Sequence, residues 1–257
     1  MRDVAHELSA LYGTAEPPAP GVLHIMHVAR AADGRLSALR IGPATTPKSE
    51  SDFFVVNAAR AHADAVLTSA ENLRREPALS HALQGPWAEA LTRYRRETLH
   101  KVLPLTCAIL TRSGDLPYPH PVWSDGTTKV IFTPRASRAM VPLPADAQVV
   151  SIADLDAVSA ARWLHAHGAP LVSVEAGPRT VRALYEANAV SELWLTHWES
   201  VTADAEFAGA LPEDATLFRG LSLRGSARRN EGGHTFRFER WSKRASPRAS
   251  KTAKRPA

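Results

Sequence analysis

Cysteine occurs once in the 257 residues, at Cys107. An intramolecular disulfide is therefore excluded, and a zinc site would have to rest on histidine and carboxylates. No apolar run approaches the roughly 20 residues of a membrane-spanning helix. The opening residues, MRDVAHELSALYG, contain acids and lack a long apolar core, so they do not read as a secretory signal. Together these absences make a cytoplasmic protein, with no metal and no membrane partner, the expectation. Acid is also missing from one stretch. Residues 242–257 hold Lys243, Arg244, Arg248, Lys251, Lys254 and Arg255 and no Asp or Glu. Without those six cations the formal net charge of +5 becomes −1. The basic character belongs to this Ala, Ser, Pro, Lys and Arg tail, whose composition supports no core. It reads as a solvated, disordered appendage rather than as a nucleic-acid site.

What is present suits one globular domain: 44% of residues are hydrophobic. Residues 1–20 read as a short amphipathic extension ending in the connector Pro17-Pro18-Ala19-Pro20, and the fold as starting at Gly21. Val22–Arg30 is apolar and reads as a buried strand, with His24 and His27 facing opposite sides, which argues against a shared metal site. Ala31–Arg35 is a turn marked by Asp33-Gly34, and residues 38–48 read as a loop. Ser49 and Asp52 supply N-cap chemistry for a helix to about His62, followed by a strand from Asp64 to Thr68. Residues 78–103 read as helical, Leu105–Leu110, Thr128–Thr133 and Gln148–Ile152 as strands, and Ile152–His167 as a helix. The last strand, Gly233–Trp241, is expected to pair with residues 216–226.

The most informative stretch is 170–198. Pro170–Val174 is a short Val-rich run, too short for a helix, and reads as a buried strand. Glu175-Ala176-Gly177-Pro178 breaks it, and Arg179–Asn188 carries Val181, Leu184 and Tyr185 at helical spacing. Pro178 suits the first helical turn. Ser191–Trp198 reads as the next strand. Small residues at such a turn let phosphates approach free N–H groups at a helix start, although most strand-to-helix turns bind nothing.

Val174–Pro178 with Ala189-Val190-Ser191-Glu192-Leu193, and the block from Asp52 through Arg60-Ala61-His62-Ala63-Asp64-Ala65-Val66-Leu67, resemble one family. It is the C-terminal reductase domain of the riboflavin-biosynthesis deaminase-reductase, in the dihydrofolate-reductase-like superfamily. The resemblance runs over residues 21–241 and implies a three-layer α/β/α fold with a mainly parallel sheet and a C-terminal antiparallel hairpin. No deaminase half is expected within these residues, because its Pro-Cys-x-x-Cys pattern cannot be built from one cysteine. The resemblance implies an NADPH-dependent reductase acting on a pyrimidine ribosylamino phosphate, and a homodimer. It puts Ala176, Gly177, Arg179 and Thr180 on the cofactor pyrophosphate, with Ser69 and Asn72 at a second cofactor-facing helix start. Thr111, Arg112 and Ser113 face the adenosine phosphate, with Thr133-Pro134-Arg135 as a further cofactor edge. His27, Asp33, Asp52 and Glu175 fall on the substrate side. Several positions depart from the family pattern. Ala176 stands for the first Gly of Glu-Gly-Gly-Pro, and Glu71 for a Thr in a Gly-rich turn that has lost both glycines. His27 stands for Lys or Asn, and Ala31 for Ser. A pterin reductase and a non-catalytic ligand-binding descendant are the alternatives.

Overall fold

The computed structural model describes residues 2–40, 46–134, 143–202 and 205–243. In chain order the elements are α1 (Val4–Tyr12), β1 (Gly21–Arg30), β2 (Leu36–Leu39), α2 (Glu50–His62), β3 (Ala65–Ser69), α3 (Ala70–Arg75), α4 (Ala88–Glu97), β4 (Thr106–Leu110), β5 (Thr128–Thr133), β6 (Gln148–Ser151), α5 (Ala157–Ala166), β7 (Leu171–Val174), α6 (Pro178–Glu186), β8 (Val190–Trp198), β9 (Phe207–Ala210), α7 (Asp214–Leu217), β10 (Leu221–Glu231) and β11 (His234–Lys243). One sheet runs β10-β11-β8-β1-β7-β3-β4-β5-β6, with β2 and β9 branching from β1. The strands from β8 to β6 are parallel, and β11 returns antiparallel on β8 to form the hairpin with β10. This is the expected dihydrofolate-reductase-like architecture.

Alternation along the central strands builds two cores. Val22 and Val28 of β1 face α5 and α6, where Leu164, Val181 and Leu184 are buried with them. Leu23, Ile25 and Ala29 face α1, α2 and α4. His24 and His27 accordingly part, His24 Nδ1 meeting the Tyr185 hydroxyl at 2.7 Å and His27 turning to α2. Gly21 opens β1 at φ 143°, and a Cβ there would stand 2.3 Å from Ser191 Oγ.

Several elements differ from the sequence reading. Residues 1–20, expected to lie outside the domain, contribute α1, which buries Leu8, Leu11 and Tyr12 against Trp194, Phe236 and Phe238. Leu36–Leu39, read partly as loop, pairs with β1 and β9. α-Helix between 78 and 103 is confined to α4, which one 3₁₀ turn at Gly85–Trp87 leads into, while Pro77 stands in the non-helical chain before it. Likewise α5 starts only at Ala157, where Asp156 and Ser159 form a capping box. Arg135 and residues 244–257 of the basic tail lie outside the described residues. Among the described residues, no helix is long and apolar enough to cross a membrane.

Candidate active site

The site is built at the C-terminal ends of β3 and β7, which are neighbours in register, Leu67 level with Val174. From these two ends the chain leaves on opposite sides of the sheet. Helix α6 packs Val181, Leu184 and Tyr185 on the face that carries Ala108 of β4. Helix α3 packs Ala70 and Leu73 on the face that carries Cys107 and Ile109. Two helix starts diverging from adjacent parallel strands open a crevice at the strand ends, the usual ligand position in open α/β sheets.

Gly177 is the N-cap of α6 and no described side chain caps that helix; Pro178 has no N–H and Thr180 N donates to Gly177 O at 2.9 Å, which leaves the Arg179 amide for an anion. The space over Gly177 is open: an added Cβ would meet nothing within 4 Å. Arg179 is exposed, and Ala176 leans on the core beneath. On the α3 side, Ser69 caps the helix by accepting from the Asn72 amide at 3.3 Å. The Asn72 side chain donates to the Glu175 carbonyl at 2.9 Å, as does the Thr68 hydroxyl. These bonds tie the two turns together, so Ser69 and Asn72 hold the crevice's shape with the groups expected to meet the cofactor. Glu71 does not plug the crevice. It is half exposed and pairs with Arg74 at 3.0 Å and Arg75 at 2.8 Å.

Further along the same edge, β4 and β5 end side by side. Thr111 donates its amide to Phe132 O at 2.9 Å and accepts from Gly114 N at 3.1 Å. Ser113 accepts from Asp115 N, and Thr133 is buried at the end of β5. Among the described residues, Arg112 and Arg179 are exposed cations for which no ion pair or side-chain hydrogen bond forms. Strand β1 to strand β5 is four strand spacings, about 19 Å, so the candidates line an elongated edge.

At the other end, β7 stops level with His24, and β1 runs on past it. There His27 Nδ1 meets Asp52 Oδ2 of α2 at 3.4 Å. His27 Nε2 is buried without a hydrogen-bond partner among the described residues. These two substrate-side candidates are thus brought together. Asp33 is not: it sits at the exposed tip of the β1–β2 turn and accepts from the Arg35 amide at 3.0 Å.

Glu175 departs most from its expected role. Its carboxylate does not present itself to the crevice, because Arg60 of α2 takes both oxygens, at 2.8 and 2.6 Å. His81 Nε2 stands 3.8 Å away. Burial would raise the Glu175 carboxyl, but the Arg60 charge and hydrogen bonds outweigh it and hold the group below the ordinary range. Beneath them lies a buried polar cluster. His81 Nδ1 meets Cys107 Sγ at 3.5 Å, and Asp125 accepts from the His81 amide and pairs with Lys129. Burial keeps His81 neutral, with its pKa lowered to about 4, and pushes the Cys107 thiol up, so this Cys-His-Glu line has no thiolate to use. Among the described residues, no group of three or more His, Cys, Asp or Glu could hold a metal ion.

Two surface cavities, of about 530 and 480 Å³, include no crevice residue in their walls. The larger is bounded by Lys48, Ser51, Phe54, Trp87 and Glu231, the smaller by Glu199, Arg228 and Thr235. Sequence reasoning missed Arg60 as the partner of Glu175, although Arg60 lies inside the block that carries the resemblance. It also missed Glu231, for which no local pattern exists.

Solved structures share this architecture. A pyrimidine reductase-like protein of Corynebacterium diphtheriae aligns with TM-score 0.60 at 18% identity, over 88% of this chain and 93% of that one. The diaminohydroxyphosphoribosylaminopyrimidine deaminase/5-amino-6-(5-phosphoribosylamino)uracil reductase of Thermotoga maritima aligns with TM-score 0.59 at 16% identity, over 88% of this chain but only 57% of that one. The riboflavin biosynthesis reductase Rib7 of Saccharomyces cerevisiae aligns with TM-score 0.54 at 12% identity, over 94% of this chain and 100% of that one. At these identities the likeness establishes the fold alone. No curated protein matches the chain. The family model of the RibD C-terminal domain matches residues 24–198, well over half of the sequence, and the chain belongs to that family.

Proposed function

We propose that the chain is an NADPH-dependent reductase of a pyrimidine ribosylamino phosphate, of the kind named for its Thermotoga maritima neighbour. The observation that carries this reading is the crevice between the uncapped start of α6 and the start of α3, with Arg112 and Arg179 unpaired along its edge. The chemistry of that donor set fits a dinucleotide. Free amides at Gly177 and Arg179 suit the pyrophosphate, and the Arg112 guanidinium suits a phosphate on the adenosine ribose. When bound, NADPH supplies a hydride to a carbonyl or imine carbon. The chain has to orient that carbon and hand a proton to its heteroatom. Asp52, partly exposed and backed by His27, is the pair placed for both tasks. A single, buried cysteine is in keeping with a reducing, cytoplasmic setting. A homodimer belongs to the same proposal, and sedimentation tests it.

Quenching of tryptophan emission on NADPH titration tests the cofactor, and loss of NADPH absorbance on adding 5-amino-6-(5-phosphoribosylamino)uracil tests the reaction. Arg112→Ala should weaken NADPH about tenfold or more while leaving NADH nearly unchanged, because only NADPH carries the extra phosphate. Equal losses for both cofactors would remove Arg112 from that role. A pterin reductase would share the crevice and differ in accepting dihydrofolate in the same assay. One observation favours a ligand-binding descendant without turnover: the Glu175 carboxylate is already held by Arg60. That reading expects NADPH binding with no oxidation by either substrate.

A further inference from the structure

The first turn of α2 is held from the far end of the chain. β10 ends at Glu231, and the hairpin reverses through Gly232 and Gly233, both at positive φ. Ser49 Oγ donates to Glu231 Oε2 at 2.8 Å, Ser51 N donates to the same oxygen at 3.2 Å, and Ser51 Oγ donates to Oε1. The same Ser49 Oγ accepts from the Asp52 amide at 2.9 Å as the helix N-cap. One chain of hydrogen bonds therefore runs from the hairpin tip through Ser49 to the residue that meets His27. The carboxylate also faces the positive end of a 13-residue helix. Burial would push the Glu231 carboxyl up, but the Ser51 and Ser49 hydrogen bonds outweigh it and hold it low, so it is ionised at neutral pH.

We propose that Glu231 is a positioning residue: its carboxylate sets the start of α2 so that Asp52 stands against His27 at the substrate end of the crevice. The substrate end is that of the proposed reductase, and the inference rests on that reading for its catalytic consequence. Its structural part stands by itself. The cavity of about 530 Å³ bordered by Ser51 and Glu231 gives a small anion access to the same seat.

The test uses the full chain with Glu231→Ala and Glu231→Gln, each with and without sodium acetate. Three quantities are read: amide exchange at Ser51 and Asp52, the NADPH dissociation constant, and KM for 5-amino-6-(5-phosphoribosylamino)uracil. Glu231→Ala should speed exchange in this turn and raise KM about tenfold, with NADPH affinity within about twofold. Acetate should reverse both changes, since it refills the seat. Glu231→Gln, which keeps the shape and one acceptor oxygen, should fall between and serves if the Ala variant does not fold. Unchanged exchange at Ser51 and Asp52, or faster exchange that acetate fails to slow, would overturn the proposal. So would parallel losses of NADPH and substrate, which mark general loosening. If the unaltered chain does not oxidise NADPH with this substrate, the reductase reading fails while the exchange and acetate measurements still decide the role of Glu231.

Discussion

Arg60→Met should lower the unfolding free energy by about 3–5 kcal/mol at neutral pH, because it leaves the Glu175 carboxylate buried without a counter-charge. Both side chains are nearly inaccessible, 5% and 12% exposed, so water cannot replace the guanidinium. Replacing both partners, Arg60→Met with Glu175→Leu, should recover most of that loss, since no charge is then left buried. Urea unfolding at several pH values checks both. The pH dependence has a definite sign. Glu175 is held below its ordinary value of 4.5, so its contribution is complete above that value and disappears as pH falls through it towards the folded value. The gap between the unaltered chain and Arg60→Met is therefore widest at neutral pH and narrows in acid. A loss under about 1 kcal/mol would mean that the pair is screened like a surface salt bridge. Glu175 would then be free to meet a substrate, as the resemblance implies.

That result bears on the choice between turnover and binding alone. Glu175 links the two halves of the crevice: its carboxylate goes to α2, and its carbonyl takes Thr68 and Asn72 of the α3 start. In this chain the residue ties the turns of the crevice together, and the proposed reductase needs such a fixed crevice to hold a nicotinamide against a substrate carbon. In the proposed reductase, recognition of the substrate would then fall to the Asp52 and His27 end. On the proposed reading, the departure from the family pattern at His27 is therefore the difference most able to change which compound is taken.

The strands of the sheet were legible because buried parallel strands are short apolar runs between breakers. Thr128–Thr133 has the same bounds in the sequence reading as in β5, and Pro170–Val174 differs from β7 by one residue. The start of α2 was legible through Ser49, whose side chain does cap the helix. What was not legible depends on distant partners. Four-residue strands such as LSAL and FAGA carry no periodicity, and they exist because LSAL finds β1 on one side and FAGA on the other. Arg60 and Glu175 are 115 residues apart, Ser51 and Glu231 180 apart, and no local pattern announces either pair. The meeting of His27 with Asp52 was implied only in that the resemblance put both on one side. Its geometry depends on the register of β1 against α2, which the sequence does not carry.

The N-terminal helix offers the other large effect. Gly225 of β10 lies directly under α1, and a Cβ there would fall 1.7 Å from the Tyr12 carbonyl oxygen and 2.4 Å from its carbon. Backbone cannot yield as a flexible side chain can, so Gly225→Ala has to push α1 off the sheet. Val4, Leu8, Leu11 and Tyr12 would lose their buried contacts, and Trp194, Phe236 and Phe238 beneath would be uncovered. Each such side chain contributes about 1.5–3 kcal/mol by burial. Ordering the helix opposes part of that gain, which leaves a loss of about 3 kcal/mol for Gly225→Ala. Leu11→Ala, which empties a fully buried position, should cost about 2–5 kcal/mol. Both variants should shift tryptophan emission to the red, because Trp194 packs its ring 5.1 Å from that of Tyr12. Urea midpoints and emission spectra read these effects. If deletion of residues 1–13 changed neither, α1 would be an appendage and the folded unit would start at Gly21. If both move as expected, the unit includes α1 from its Asp3 cap, whose carboxylate accepts from the His6 amide at 3.0 Å.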